Sequence, residues 1–304
     1  MAGDERGFED IYFTARDGLR LHARRYAAPG SRRRPVICLA GLTRNSRDFH
    51  DIALALSRHA TSPRTVYTLD YRGRGLSDYD GDWRNYAVPI EMQDVIDLIT
   101  IFGLAGAAVI GTSRGGLIAM VLAAVQPTAI GALVLNDIGP VVESSGLARI
   151  SGYVGRTPTP TTWAAATKQV RDLNHRQFPA VLEGQWEEVA RAWYNDRNGR
   201  PYPGYDKKLG RALSVLDGPI PELWPQFEAL RRVPVLVLRG ENSDILSAAT
   251  VEKMTRRHPN LQAVTVAGQG HAPLLKDATT IEAVARFLAD TDAAVKTVPA
   301  QQTA

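Results

Sequence analysis

The sequence predicts an α/β protein: a mostly parallel sheet led by an N-terminal hairpin, with helices on both faces and a helical insertion. Three observations carry this. Short apolar runs alternate with segments of helical spacing along most of the chain. The first two apolar segments instead alternate in polarity around Asp17-Gly18, a strong hairpin turn signal. The strand–helix alternation then lapses between Gly139 and Leu230 and resumes afterwards.

In order, Ile11 to Thr14 and Leu19 to Tyr26 read as the hairpin. Val36 to Leu39 is a short apolar strand, and Phe49 to Leu56 has helical spacing. Thr65 to Leu69 is the next strand, ending at Asp70. Ile90 to Phe102 repeats the helical period through Val95, Ile96, Leu98, Ile99 and Phe102. Ala107 to Ile110 is a strand, Leu117 to Val125 a helix, and Ala132 to Leu135 a strand. The stretch that follows has four of the tryptophans (Trp163, Trp186, Trp193 and Trp224), several prolines, helical patches and no strand-like run. Strands return at Val233 to Leu238 and Leu261 to Val266, and a last helix covers Thr280 to Leu288. The expected organisation is a core of residues 1–138 and 231–290, a helical lid of 139–230, and a polar, frayed tail of 291–304. An insertion there overhangs the carboxyl ends of the strands, where open α/β sheets bind ligands.

Composition narrows the function classes. A chain of 304 residues with net charge +4 carries too little basic surplus for a nucleic-acid stripe. Arg32-Arg33-Arg34 reads as a solvated loop. The single cysteine, Cys38, lies within an apolar run, so it reads as a small core residue and forms no internal disulfide. The charged N-terminus shows no signal peptide, and no apolar run is long enough for a membrane helix. A cytoplasmic protein acting on a small molecule is expected, with no cofactor, metal, nucleic-acid or membrane partner; nothing in the sequence speaks to oligomeric state.

Gly111-Thr112-Ser113-Arg114-Gly115 lies between a strand and a helix. This is the setting of a nucleophile elbow, whose tight turn lifts the serine oxygen clear of the backbone and needs small residues on either side. Serine needs a base to become a nucleophile. Among six histidines only His271, in the loop after the strand Ala263 to Val266, stands at the same edge of the sheet. The acid that orients the base is expected to be Asp244, just past the strand Val235 to Leu238, with Asp137 and Glu241 as competitors. Two backbone N–H groups are expected to hold an oxyanion: Arg114, after the nucleophile, and Leu42, in the loop after Val36 to Leu39, where Gly41 permits close approach.

Together these residues resemble the α/β-hydrolase superfamily, over nearly the whole chain. Asp70-Tyr71-Arg72-Gly73-Arg74-Gly75-Leu76-Ser77 and Gly268 to Pro273 resemble its structural turn and its histidine loop. Within the superfamily the chain is most similar to lidded bacterial carboxylesterases, some of which accept polyesters, and to enol-lactone and carbon–carbon bond hydrolases. The resemblance implies a serine esterase, with lactone or carbon–carbon hydrolysis and a non-catalytic binding protein as alternatives. Two departures stand out: Ala40-Gly41 replaces the usual His-Gly, and Arg114 puts a cation at a helix N-terminus, which is electrostatically unfavourable. Arg114 is therefore expected to pair with a carboxylate such as Asp137 or Glu143, while Arg44 or Arg114 could hold an anionic substrate group. Gly41, Arg44, Trp163 and Trp193 are expected to contact substrate. The aromatics Trp163, Trp186, Trp193 and Tyr194 are divided between an acyl pocket and the lid's own core.

Overall fold

A computed structural model describes residues 6–214 and 221–296. The hairpin is β1 (Glu9–Thr14) and β2 (Arg20–Tyr26), paired antiparallel with Gly18 at a positive φ in the turn. Then follow β3 (Val36–Leu39), α1 (His50–Ser57), β4 (Val66–Asp70), α2 (Val88–Phe102), β5 (Ala107–Thr112), α3 (Arg114–Val125) and β6 (Ile130–Asn136). Pro89 in the first turn of α2 and Gly103 in the left-handed region at its end bound that helix.

Eight strands form one sheet in the order β1-β2-β4-β3-β5-β6-β9-β10, where β9 is Val235–Gly240 and β10 is Leu261–Val266. All neighbours from β4 to β10 are parallel. The central strands read as continuous apolar runs because both faces are covered. Val109, Leu133, Leu135, Val235 and Val237 face one core. Val36, Cys38, Ile110, Val134, Leu236 and Leu238 alternate onto the other, so Cys38 is the buried residue its neighbours implied.

The insertion holds α4 (Ser144–Tyr153), α5 (Trp163–Asn174), α6 (Trp186–Trp193), β7 (Tyr194–Arg197), β8 (Arg200–Pro203) and α7 (Leu209–Ser214). Its small core is Ala166, Val170, Phe178, Trp186, Val189 and Ala190. Three expectations need correction. The insertion is not all helical, because β7 and β8 pair as a hairpin about Asn198-Gly199, both at positive φ. The chain also rejoins the core earlier than Leu230. Leu223 N–H bonds Pro140 O, and Trp224 and Phe227 of α8 (Trp224–Glu228) pack in the main core. Finally, the last helix does not stop near Leu288. After α9 (Ala248–Arg257), α10 runs Ala278–Lys296, and residues 297–304 of the expected tail lie outside the described residues. Arg64, buried at the sheet's far end, holds Asp292 of α10 at 3.0 Å.

Among the described residues no helix is long and apolar enough to cross a membrane. Nor do any three His, Cys, Asp or Glu stand together as a metal site among them.

Candidate active site

Ser113 sits between the end of β5 and the start of α3 with φ +51° and ψ −116°. A non-glycine residue held there is strained, and the surrounding structure must impose the conformation. The glycines explain how. A Cβ on Gly111 would come within 2.7 Å of the Gly116 backbone, and one on Gly115 within 2.1 Å of the Leu39 carbonyl. The elbow is thus pressed against its own helix and against β3, and only glycine fits at either place. The strand order also places it well: β3 leads outward to β4, while β5 lies on the other side of β3, so Ser113 opens beside the reversal point where α/β sheets carry their ligands.

His271 Nε2 lies 2.8 Å from Ser113 Oγ, and His271 Nδ1 lies 2.8 Å from Asp137 Oδ2. A carboxylate only accepts, so in the neutral ring Nδ1–H donates to Asp137 and Nε2 is left to accept from the serine hydroxyl. Asp137 follows β6, the neighbour of β5, and is itself at φ +56°. It is fully buried yet well supplied with donors: Gly240 N–H to Oδ1 at 2.8 Å and Ser243 Oγ–H to Oδ2 at 2.6 Å. Ser243 Oγ in turn accepts from Ile245 and Leu246 N–H.

Asp244, expected as the orienting acid, does not reach the histidine. Its two oxygens fork onto Arg149 of α4 at 2.6 and 2.8 Å. Burial pushes the Asp244 carboxyl up, but the Arg149 bonds outweigh it and hold the group below the usual range. The turn after β9 does serve the acid site, but by wrapping its Ser243 hydroxyl around Asp137 and turning Asp244 outward to clasp the insertion. Glu241 is spent on Gly268 N–H. Sequence order fits either aspartate, since both follow strands and precede His271. The deciding signal is sheet adjacency: β6 lies beside β5, and that pairing is not written locally in the chain.

The loop after β3 reaches the site as expected. Gly41, Leu42 and Arg44 line a cleft with Ser113 and His271. Arg74, fully buried, donates to Leu42 O at 2.9 Å, and Asp70 accepts Ser46 N–H at 2.6 Å, so the turn after β4 clamps the loop at both ends. Asp70 also accepts from the buried His22 ring at 2.7 Å. Burial raises the Asp70 carboxyl, and His22, Arg47 and the Ser46 amide pull it below its ordinary value. The structural role of that turn was legible; its grip on Leu42 was not. Asn136 is a further residue that sequence reasoning missed. Its Nδ2 donates to Thr112 Oγ1 and Pro273 O, tying the elbow to the histidine loop.

Arg114 is paired, but with neither expected acid. Its Nε meets Glu91 of α2 at 2.5 Å and Nη2 donates to Tyr86 O. Glu91 also holds Arg74. Burial would raise the Glu91 carboxyl, and the two guanidiniums overcome this and keep it below its usual value. The side chain of Arg114 therefore faces α2 and does not line the cleft. Its backbone N–H, at the first position of α3, has no intrahelical acceptor.

The cleft offers about 140 Å³ and is closed above by the insertion, through Tyr153, Val170, Val189, Trp193 and Tyr194. Trp193 is in it. Trp163 is not: it packs against the insertion's own core, under Arg191, and borders a separate shallow depression with Arg24 and Arg47. Trp186 is likewise core.

Fold and site together define a hydrolase of the α/β class. The alpha/beta hydrolase family model matches residues 36–286, and the chain belongs to that family. The 3-hydroxybutyrate-oligomer hydrolase of Cupriavidus necator is 32% identical over 278 residues, 88% of this chain and 93% of that one. The 2-(acetamidomethylene)succinate hydrolase of Mesorhizobium japonicum is 26% identical over 82% of this chain and 85% of its own. A crystal structure of an alpha/beta hydrolase from Novosphingobium aromaticivorans superposes with TM-score 0.85 at 41% identity, covering 93% of this chain and 98% of that one.

Proposed function

We propose that this chain is a serine hydrolase that cleaves carboxylic esters of short acyl groups through an acyl-enzyme. The observation that carries the reading is the hydrogen-bonded series Ser113–His271–Asp137, with both links at 2.8 Å. His271 takes the Ser113 proton as Oγ attacks the ester carbonyl. The backbone N–H groups of Leu42 and Arg114 receive the oxyanion. His271 passes the proton to the departing alkoxide, then takes one from a water that attacks the acyl carbonyl and returns it to Ser113 Oγ as the acid is released. Asp137 keeps Nδ1 protonated and steadies the imidazolium, so Nε2 faces the serine throughout.

Short acyl groups are favoured because the cleft's 140 Å³ is close to the roughly 150 Å³ that admits a benzene-sized guest. The similarity to the Cupriavidus necator oligomer hydrolase supports an ester substrate. The test is turnover of p-nitrophenyl acetate, butyrate and decanoate by the wild type and Ser113→Ala. The wild type should favour the two short esters, and the variant should lose about 10³-fold or more in kcat. Activity surviving in Ser113→Ala would sink the serine mechanism, and a preference for decanoate would sink the short-acyl assignment.

A further inference from the structure

Beside the nucleophile, the wall of the cleft carries an ion pair that the proposed chemistry does not use. Arg44 Nε meets Asp48 Oδ2 at 3.1 Å. The pair is close to the reacting centre: Arg44's stem and Ser113 flank Gly41 from two sides, and a Cβ placed on Gly41 would touch both, at 3.5 and 3.7 Å. Trp193 of the insertion lies flat on the guanidinium, its ring centre 3.0 Å from Cζ. Both residues line the cleft.

One donor and one acceptor of this pair are left over. Arg44 Nη1 and Asp48 Oδ1 are both buried and have no hydrogen-bond partner. A buried polar atom without a partner costs free energy, and such atoms in a binding wall mark where a ligand group belongs. Burial pushes the Arg44 guanidinium down to about 10 and the Asp48 carboxyl up, and each charge pulls the other back. The pair is therefore neutral as a unit. A substrate carboxylate would meet Asp48 as well as Arg44. A hydroxyl suits both leftover atoms, because its oxygen accepts from an N–H while its proton is donated to a carboxylate.

We propose that Arg44 and Asp48 recognise a hydroxyl on the acyl side of the substrate, so that the enzyme takes esters of short hydroxy acids. The inference rests on the ester-hydrolase reading above. Trp193 covers the guanidinium from the insertion's side of the cleft. A 3-hydroxyacyl ester carries its hydroxyl two carbons from the carbonyl that Ser113 attacks, and Arg44 stands across Gly41 from that serine.

The test compares kcat/KM for the p-nitrophenyl esters of 3-hydroxybutyrate, butyrate and hemisuccinate. The wild type should favour 3-hydroxybutyrate over butyrate by about tenfold or more, since a site built to bond a hydroxyl discriminates against the analogue lacking it. In Arg44→Gln and Asp48→Asn the ratio should fall toward one. A ratio taken within one variant cancels any loss of folded protein. A wild-type ratio near one overturns the proposal, and a preference for hemisuccinate overturns it in favour of an anion site. Calorimetric binding of methyl 3-hydroxybutyrate and methyl butyrate to Ser113→Ala needs no turnover. Tighter binding of the hydroxy ester supports the proposal even if the esterase reading fails, and equal binding overturns it even if ester turnover is found.

Discussion

Asp137 occupies the place beside His271 that the sequence suggested for Asp244. Its carboxylate is buried, accepts from Gly240 and Ser243, and still presents Oδ2 to His271. Asp137→Asn should keep the fold and lower ester kcat by about 10³–10⁴-fold, because the amide favours the wrong tautomer of the ring. Asp244→Asn should cost less than about tenfold, since that side chain bonds Arg149 and not the histidine. Steady-state kinetics of both variants on p-nitrophenyl butyrate separates the two assignments, and the reverse ranking would restore Asp244. Arg114 makes a related point. Its unfavourable place at a helix N-terminus predicted an acidic partner, and one is present. That it is Glu91 follows from α2 packing beside α3, which local sequence does not reveal.

Elements hold the site through a few buried polar ties. The turn after β4 clamps the Leu42 loop, and Asn136 joins β6 to the histidine loop. The end of α9 is tied differently. His258 is buried, its Nδ1 accepts Asn260 N–H and its Nε2 lies 2.9 Å from Leu230 O. Accepting at Nδ1 and donating at Nε2 requires the neutral ring. Burial lowers its pKa from the ordinary 6.5, against the smaller upward pull of the Leu230 carbonyl. A histidine with a depressed folded-state pKa contributes stability above pH 6.5 and loses it as the pH falls below that value through the folded pKa. The melting temperature should therefore fall between pH 7.5 and pH 5 more steeply in the wild type than in His258→Gln. Equal slopes would show that this ring contributes nothing to the acid limb.

At the scale of the whole molecule, α10 closes the sheet. Asp292 accepts from Arg64, which is 1% exposed, and Arg33 lies 3.6 Å away. Removing one partner of a buried pair leaves the other charge uncompensated, at about 3 kcal/mol. Asp292→Ala should therefore lower the melting temperature by roughly 6–12 °C. Ester turnover at 25 °C should stay unchanged, because the pair is remote from the cleft. A melting point within 2 °C of wild type would mean that Arg64 finds water or another acceptor. The insertion is secured at the other end of the molecule by Arg149 and Asp244.

The sequence by itself determined the class of fold and singled out Ser113, in its elbow, and His271 as the candidate nucleophile and base. Each of these is written locally: apolar period, glycines around a serine between strand and helix, and a histidine just past a strand. It also pointed to Gly41, Leu42 and Arg44, in the loop after β3, and to Trp193 of the insertion, all of which line the cleft. The β7–β8 hairpin was not read from the sequence: Asn198-Gly199 is a recognised turn pair, but the short polar strands beside prolines show no clear period of two. Only the tertiary structure decided which aspartate faces His271, which acid neutralises Arg114, and that Trp163 lies in the insertion's core instead of in the cleft. Those choices depend on which strands and helices become neighbours, and a side chain of a few ångströms' reach bonds what packing brings to it.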